Sequence, residues 1–334
     1  MGTFSFGGVG PFAMVANQGV DEARKLVDTC LEAGVNLFDT ANMYSYGRSE
    51  EILGEVLEGR RDEVLISSKA RMKIGDGPND EGVSRYHLIR ECERSLERLR
   101  TDHIDIYYMH EWDGSTPLEE MLEALHTLTE QGKIRYAGCS NYSGWHVMKA
   151  LGVSDRRRLP RFVTQQIHYT LEAREAEYEL LPIAVDQGLG VLVWSPLAGG
   201  LLSGKHRRGR KTPAGTRQAA GWDEPPIRDY ERLWNIVDAL VEIGDHHGVS
   251  AARVALAWLL ERPGITSLVI GGRTEEQFRD NLAAVELQLT DDERARLNEV
   301  SAIPLLYPYW HQQNFARDSF GAGDLALRQR EESG

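Results

Sequence analysis

The chain alternates short apolar or β-branched runs with longer stretches whose apolar residues fall at helical spacing. The runs are residues 4–6 (FSF), 35–40 (VNLFDT), 63–69 (EVLISSK), 104–110 (IDIYYMH), 135–140 (RYAGCS), 162–169 (FVTQQIHY), 190–195 (GVLVWS) and 267–272 (SLVIGG). Between them, residues 50–59, 87–100, 118–132 and 175–188 carry apolar positions three and four apart, the mark of a helix with one buried face. Residues 229–244 and 251–262 do the same in the long interval before the last run. Regular alternation of strand and helix implies parallel strands covered on both faces, and such strands read as near-continuous apolar runs. Eight units of this kind predict an α/β chain folded as a (β/α)8 TIM barrel rather than a six-stranded doubly wound sheet. The basic stretch 205–217, rich in Gly, Pro and Thr, reads as an exposed loop. After about residue 300 the pattern fades. We therefore expect one barrel domain over residues 1–300 and a C-terminal tail over 301–334, whose polar end DLALRQREESG packs poorly or is disordered.

Composition narrows the function. With 41% apolar and 27% charged residues among 334, the chain has the make-up of a globule with a substantial core. Three cysteines, Cys30, Cys92 and Cys139, form no C-x-x-C pair, which argues against a disulfide framework and a structural zinc site and for a reducing compartment. No apolar run approaches the ~20 residues that cross a bilayer, and the start MGTFSFGGVG lacks the features of a signal peptide. A cytoplasmic protein with no membrane partner is expected. The net charge of −13 disfavours a nucleic-acid footprint, which needs concentrated positive charge. Nothing in the pattern fixes the number of subunits.

In a parallel barrel the reactive groups gather where strands end at the C-terminal face. The polar residues at those ends are Asp39, Lys69, His110, Ser140, Asn141, Gln166, Trp194 and Ser195, with Tyr44 five residues beyond Asp39. Each alone is unremarkable, but together they converge on one mouth. A metal centre there is not expected, because His110 has only Glu111 and Asp113 nearby in sequence and Lys69 would repel a cation. The stretch Gly8–Ala13 fits the dinucleotide pattern G-x-G-x-x-G/A. The strand before it is too short, and the next helical stretch starts only near Asp21, so a Rossmann site is rejected.

Seven ordered segments resemble the aldo-keto reductases: 34–57, 64–70, 103–125, 132–145 (GKIRYAGCSNYSGW), 165–182, 194–205 (WSPLAGGLLSGK) and 269–282 (VIGGRTEEQFRDNL). The resemblance implies a barrel that binds a nicotinamide cofactor in extended form at its C-terminal mouth and reduces aldehydes or ketones. It maps a catalytic tetrad onto Asp39, Tyr44, Lys69 and His110. Carbonyl reduction needs a proton at oxygen, and a phenol of pKa ~10 gives up its proton only if the phenolate is stabilised. In that scheme Tyr44 is the donor, Lys69 supplies positive charge, Asp39 fixes Lys69, and His110 orients the substrate oxygen.

The same resemblance places the carboxamide against Ser140, Asn141 and Gln166, with Trp194 stacking on the nicotinamide where other members often carry Tyr. Ser195, Pro196, Leu197, Gly199, Leu201 and Lys205 would surround the pyrophosphate. Gly271, Gly272, Arg273, Gln277, Asp280 and Asn281 would hold the adenosine end, Arg273 being the candidate for a 2′-phosphate. One branch of the family uses a Lys and an Arg where this chain has Gly271 and Gln277, and the expectation is NADPH ahead of NADH. Thr3 would approach the cofactor from the end of the first strand. The resemblance also implies that the chain begins inside that strand, without the family's N-terminal hairpin, and that a chain extended upstream is more stable. Tyr46, Trp112 and Tyr142 are candidates for the pocket wall. The alternative function is a cofactor-binding sensor or regulatory subunit, like the potassium-channel β-subunits that share this fold.

Overall fold

A computed structural model describes residues 1–222, 224–316, 321, 323 and 324. Apart from Asp324, the polar end expected to pack poorly lies outside the described residues. Among those residues the strands are β1 (Leu37–Asp39), β2 (Leu65–Ala70), β3 (Ile104–Met109), β4 (Ile134–Ser140), β5 (Phe162–His168), β6 (Gly190–Trp194) and β7 (Ser267–Val269). The helices are α1 (Val20–Glu32), α2 (Arg48–Val56), α3 (Arg85–Leu99), α4 (Leu118–Glu130), α5 (Gly144–Arg157), α6 (Leu180–Gln187), α7 (Tyr230–His247), α8 (Ala251–Leu260), α9 (Glu275–Leu282), α10 (Asp291–Val300) and α11 (Tyr309–Phe315). The strands form one sheet in sequence order, β1 to β7, and β1 through β5 pair in parallel. This is the strand order of the (β/α)8 TIM-barrel class. No helix among the described residues is long and apolar enough to cross a membrane.

Each element follows from its residues. In α1 the buried Ala23, Leu26, Val27 and Cys30 recur three and four apart and make one apolar stripe. Four helices start on side-chain caps: Ser84 accepts from the His87 N–H, Asp229 from Arg232, Ser250 from Arg253, and Thr290 with Glu293 completes a capping box. In β2 every residue after Leu65 is buried, as expected for a strand covered on both faces. Strand packing is complementary in size: Tyr108 in β3 lies opposite Gly138 in β4, where a Cβ would meet a ring carbon of Tyr108 at 2.5 Å.

One predicted strand does not form. The run FSF bends into a turn, with the Phe6 N–H donating to Thr3 O at 2.9 Å, and Gly7 and Gly8 follow at φ 99° and 107°. Those left-handed values cannot continue an extended ladder. Phe6 keeps only an isolated parallel bridge to Gln18, and the pairing with β1 occurs just before the run. Gly2 N–H donates to Ile270 O at 2.8 Å, Asp39 N–H to Met1 O at 2.8 Å and Thr3 N–H to Asp39 O at 2.9 Å. Met1–Thr3 thus lie in strand-like pairing beside β1, with Gly2 and Asp39 forming a parallel bridge.

By internal contact the chain divides into two compact units, residues 1–166 with 269–279, and residues 167–268 with 280–334. The first unit has Phe6, Phe38, Tyr107, Tyr108, Phe162 and Phe278 fully buried, and all three cysteines as buried free thiols. The second is built around the buried pair Tyr169 and Trp258, with ring centroids 5.8 Å apart and the Arg174 guanidinium 5.4 Å from the Trp258 ring.

Candidate active site

Lys69 is among the largest fully buried side chains of the first unit, and a buried ammonium must be paired. Strand register supplies the partner. Asp39 at the end of β1 lies opposite Ser67 in β2, and Lys69, two residues on, shares the face of Ser67. Lys69 Nζ donates to Asp39 Oδ2 at 2.6 Å and to Thr40 O at 2.8 Å, and reaches the Tyr44 hydroxyl at 3.5 Å. The other carboxylate oxygen of Asp39 accepts from Ser67 Oγ at 2.7 Å and from Gln166 Nε2 of β5 at 2.8 Å. One carboxylate therefore joins β1, β2 and β5, and its negative charge faces a single ammonium. Burial opposes the charge on Lys69, but Asp39 and the Tyr44 oxygen together hold its pKa above the ordinary lysine value.

Tyr44 is fixed by rings. Phe4 meets it edge-on at 5.2 Å between centroids, and Phe12 lies at 6.5 Å. His110, the residue after β3, meets Tyr44 edge-on at 6.0 Å, and its backbone N–H donates to Ala70 O at 3.1 Å. Burial, then the charges of Lys69 and Arg71, push the His110 imidazole well below its ordinary pKa, so it is neutral at pH 7. Its Nδ1 is buried with no hydrogen-bond partner among the described residues. The four residues Asp39, Tyr44, Lys69 and His110 thus form one contiguous group: a charged pair touching a phenol, beside a neutral imidazole. That arrangement can deliver a proton from the phenol and stabilise the anion left behind.

Ser140 at the end of β4 is in register with Gln166, and its hydroxyl is buried with no partner among the described residues. Asn141 follows at φ 56°, and its Nδ2 donates to His110 O at 3.2 Å. Thr3 turns its hydroxyl to Asp39 O at 3.1 Å and Ser49 Oγ at 2.8 Å. Gln18 Nε2 donates to Gly272 O and Arg273 O at 3.1 and 3.3 Å, while Gln277 Oε1 accepts from the Arg273 N–H at 2.9 Å. Gly271 and Arg273 are exposed. Of the pocket candidates, Tyr46 is exposed and meets Phe12 edge-on at 6.3 Å. Trp112 donates to Thr116 O at 2.9 Å and packs on His146 with ring centroids 4.5 Å apart. Tyr142 is buried, with its hydroxyl on Met121 Sδ at 3.2 Å.

The remaining candidates belong to the second unit. Trp194 ends β6 and lies against His168, ring centroids 4.5 Å apart and planes tilted by 34°. Ser195 Oγ accepts from the Gly199 N–H at 3.0 Å. Gly199 and Gly200 take φ 65° and 100°, and no atom lies within 4 Å of where a Cβ of Gly200 would stand. Pro196 and Leu201 are buried, Leu197 is half-buried and Lys205 is exposed. Asp280 pairs with Arg253 Nη2 at 2.8 Å, and Asn281 is buried.

Sequence reasoning did not single out Ser67, Thr40, Phe4, Phe12 or Arg71. Ser67 and Thr40 were legible in principle, since the residue two before a strand-end Lys and the carbonyl after a strand-end Asp lie within reach of the pair. Phe4 and Phe12 were not, because their contact with Tyr44 depends on the turn at residues 6–8.

The model of the aldo/keto reductase family matches residues 1–302. The chain is 42% identical over 299 residues to the uncharacterized oxidoreductase YrpG of Bacillus subtilis, covering 85% of this chain and 89% of that protein. It is 36% identical over 299 residues to a probable voltage-gated potassium channel subunit beta of Arabidopsis thaliana, covering 85% and 88%. It is 32% identical over 308 residues to the versiconal hemiacetal acetate reductase of Aspergillus parasiticus, covering 86% and 89%. With the strand order and the group around Lys69 already in view, the match over nearly the whole chain establishes that this protein belongs to the aldo/keto reductase family, oxidoreductases that act on carbonyl groups.

Proposed function

We propose that the chain is an NADPH-dependent reductase of an aldehyde or ketone, with Tyr44 as proton donor. The observation that carries this reading is the fully buried Lys69 ammonium held between the Asp39 carboxylate and the Tyr44 hydroxyl. A nicotinamide cofactor fits the residues present. The buried Ser140 hydroxyl, without a partner among the described residues, and the amides of Asn141 and Gln166 offer donors and acceptors for a carboxamide. Trp194 offers a ring face, Ser195–Leu201 with Lys205 a Gly-rich loop for a pyrophosphate, and exposed Arg273 a charge for a 2′-phosphate. Gly271, Gly272, Gln277, Asp280 and Asn281 complete the set for the adenosine end. Bound there, the cofactor supplies the hydride.

The protein's own part is the proton and its electrostatics. His110, neutral, donates a hydrogen bond that positions the substrate oxygen near Tyr44. Tyr44 releases its hydroxyl proton to that oxygen, and Lys69, its own side chain fully buried, faces the developing phenolate from 3.5 Å. Asp39 keeps Lys69 charged and in place. Tyr46 and Trp112 are the proposed pocket wall, and Tyr142 is left to packing. We take residues 1–300 as one barrel domain, supported by an unbroken family match over 1–302, with 301–334 as a tail. A cytoplasmic location fits the three buried free thiols.

A second reading, a cofactor-binding regulatory subunit, is favoured by the 36% identity to the plant channel subunit. Single-turnover mixing with NADPH and a reactive aromatic aldehyde, followed by nicotinamide absorbance, separates the two. NADPH oxidation by the native chain and none by Tyr44→Phe supports the reductase. Tight NADPH binding with no oxidation by either supports the regulatory subunit.

A further inference from the structure

Outside the candidate active site, His246 and His247 at the C-terminal end of α7 converge on Glu293 in the first turn of α10. All three belong to the second unit. His247 Nε2 lies 2.8 Å and His246 Nδ1 3.3 Å from the same oxygen, Glu293 Oε1, and the three donor atoms lie within 4.8 Å of one another. The second oxygen of that carboxylate is already committed: Glu293 Oε2 accepts from the Thr290 N–H at 2.8 Å, as half of the capping box that starts α10.

The carboxylate is thus aimed by a backbone donor, as outer partners aim the ligands of metal centres. Its helix is anchored independently of the cluster. Trp258 Nε1 donates to Asn298 Oδ1 at 3.1 Å, Arg294 Nε to Glu261 Oε2 at 2.7 Å, and Leu297 is fully buried. His246 is the adjustable member, with a side chain 74% exposed, whereas His247 is 23% exposed.

From this geometry we propose that His246, His247 and Glu293 form a binding site for a divalent transition-metal ion of the zinc type. Two imidazoles and one carboxylate are a donor set for Zn2+ and its neighbours in the first row, while Mg2+ and Ca2+ require mostly oxygen. Metal–donor distances of ~2.0–2.2 Å around a tetrahedral ion put donors about 3.3 Å apart. The 3.3 Å from His246 to Glu293 Oε1 matches that spacing, the 2.8 Å from His247 is a direct hydrogen bond that an entering ion must lengthen by about half an ångström, and the exposed His246 ring closes the remaining separation by rotation about its side-chain bonds. Three protein donors leave the fourth position to water. The bound ion ties the end of α7 to the start of α10, so its binding free energy adds to the stability of the folded chain.

The test uses the full-length, tag-free, metal-stripped chain, titrated with ZnCl2 by calorimetry and melted with and without Zn2+. One saturable equivalent is expected, with a higher melting temperature at saturation and no response to MgCl2. His246→Ala, His247→Ala and Glu293→Gln should each weaken that equivalent at least tenfold. Glu293→Gln keeps an oxygen for Thr290 N–H, so the cap survives, and His246→Ala removes a largely exposed side chain, so at least these two should fold even if His247→Ala does not. Absence of saturable binding, or Zn2+ affinity in His246→Ala and Glu293→Gln unchanged from that of the native chain, overturns the proposal.

Discussion

Replacing Asp39 by Asn removes one charge from the site while leaving its shape nearly unchanged. The amide oxygen can still accept from Ser67 and Gln166, but its NH2 group then faces Lys69 Nζ, donor against donor, across a separation that was 2.6 Å. At an effective dielectric of ~20 the lost attraction is about 6 kcal/mol, and breaking a buried pair on one side costs about 3–5 kcal/mol after relaxation. Lys69 is fully buried and retains only Thr40 O and the distant Tyr44 hydroxyl, so desolvation should drive its folded pKa below the unfolded value of ~10.4.

The sign of the pH dependence then separates the two proteins. In the native chain the folded pKa of Lys69 is raised, so both states are protonated below ~10.4 and its contribution is flat, lost only as pH rises through the higher folded value. In Asp39→Asn the folded state is neutral and the unfolded state protonated. Between the depressed pKa and ~10.4 stability should rise by about 1.4 kcal/mol per pH unit. Urea unfolding followed by tryptophan fluorescence, from about pH 7 to pH 9.5, should show a gap of several kcal/mol that narrows as pH rises. A gap under about 1 kcal/mol, or one that does not change with pH, would falsify the assignment of Asp39 as the group that keeps Lys69 charged.

Tyr44→Phe should lower the single-turnover rate by about 10²–10⁴-fold with NADPH affinity unchanged, and a smaller loss would remove Tyr44 as the donor. Because His110 is held well below its ordinary pKa by burial and by Lys69 and Arg71, reductase rate should show no His110-dependent break between about pH 6 and pH 8; a break that vanishes in His110→Gln would contradict this. The neutral native imidazole also means that stability falls on acidification below the unfolded value of ~6.5, and the fall should be shallower in His110→Gln. Arg273→Ala should raise KM for NADPH about tenfold or more while leaving NADH unaffected, and equal effects on both cofactors would exclude a 2′-phosphate contact. Gly138→Ala should cost about 1–3 kcal/mol in unfolding free energy, since the new methyl meets the Tyr108 ring at 2.5 Å; an unchanged midpoint would mean that β3 and β4 part freely.

The fold was legible because parallel strands covered on both faces leave near-continuous apolar runs. The runs at 104–110, 162–169 and 190–195 differ from β3, β5 and β6 by a residue at most. The run at 4–6 misled for a local reason: its apolar pattern ignores the two following glycines, whose left-handed backbone turns the chain. Short elements such as β7 and α11 carry too few residues for periodicity to bound them. Within the site, the strand ends Asp39, Lys69 and His110 could be read as neighbours from fold class, but the bond from Gln166 to Asp39 spans 127 residues and needs the register of five strands to appear. Aromatic type alone could not separate Tyr142, buried against Met121, from Tyr46, which faces solvent.

The three buried thiols give the molecule its own set of chemical clocks. Cys30 in α1, Cys92 in α3 and Cys139 in β4 all lie in the first unit, and burial pushes Cys30 up to about 11, Cys92 up to about 12 and Cys139 higher still. None is a reactive thiolate at neutral pH, so an alkylating reagent can score them only when the structure around each one opens. Labelling over time, resolved by mass, would therefore report how often the layers that carry Asp39 and Lys69 come apart, with the second unit silent throughout.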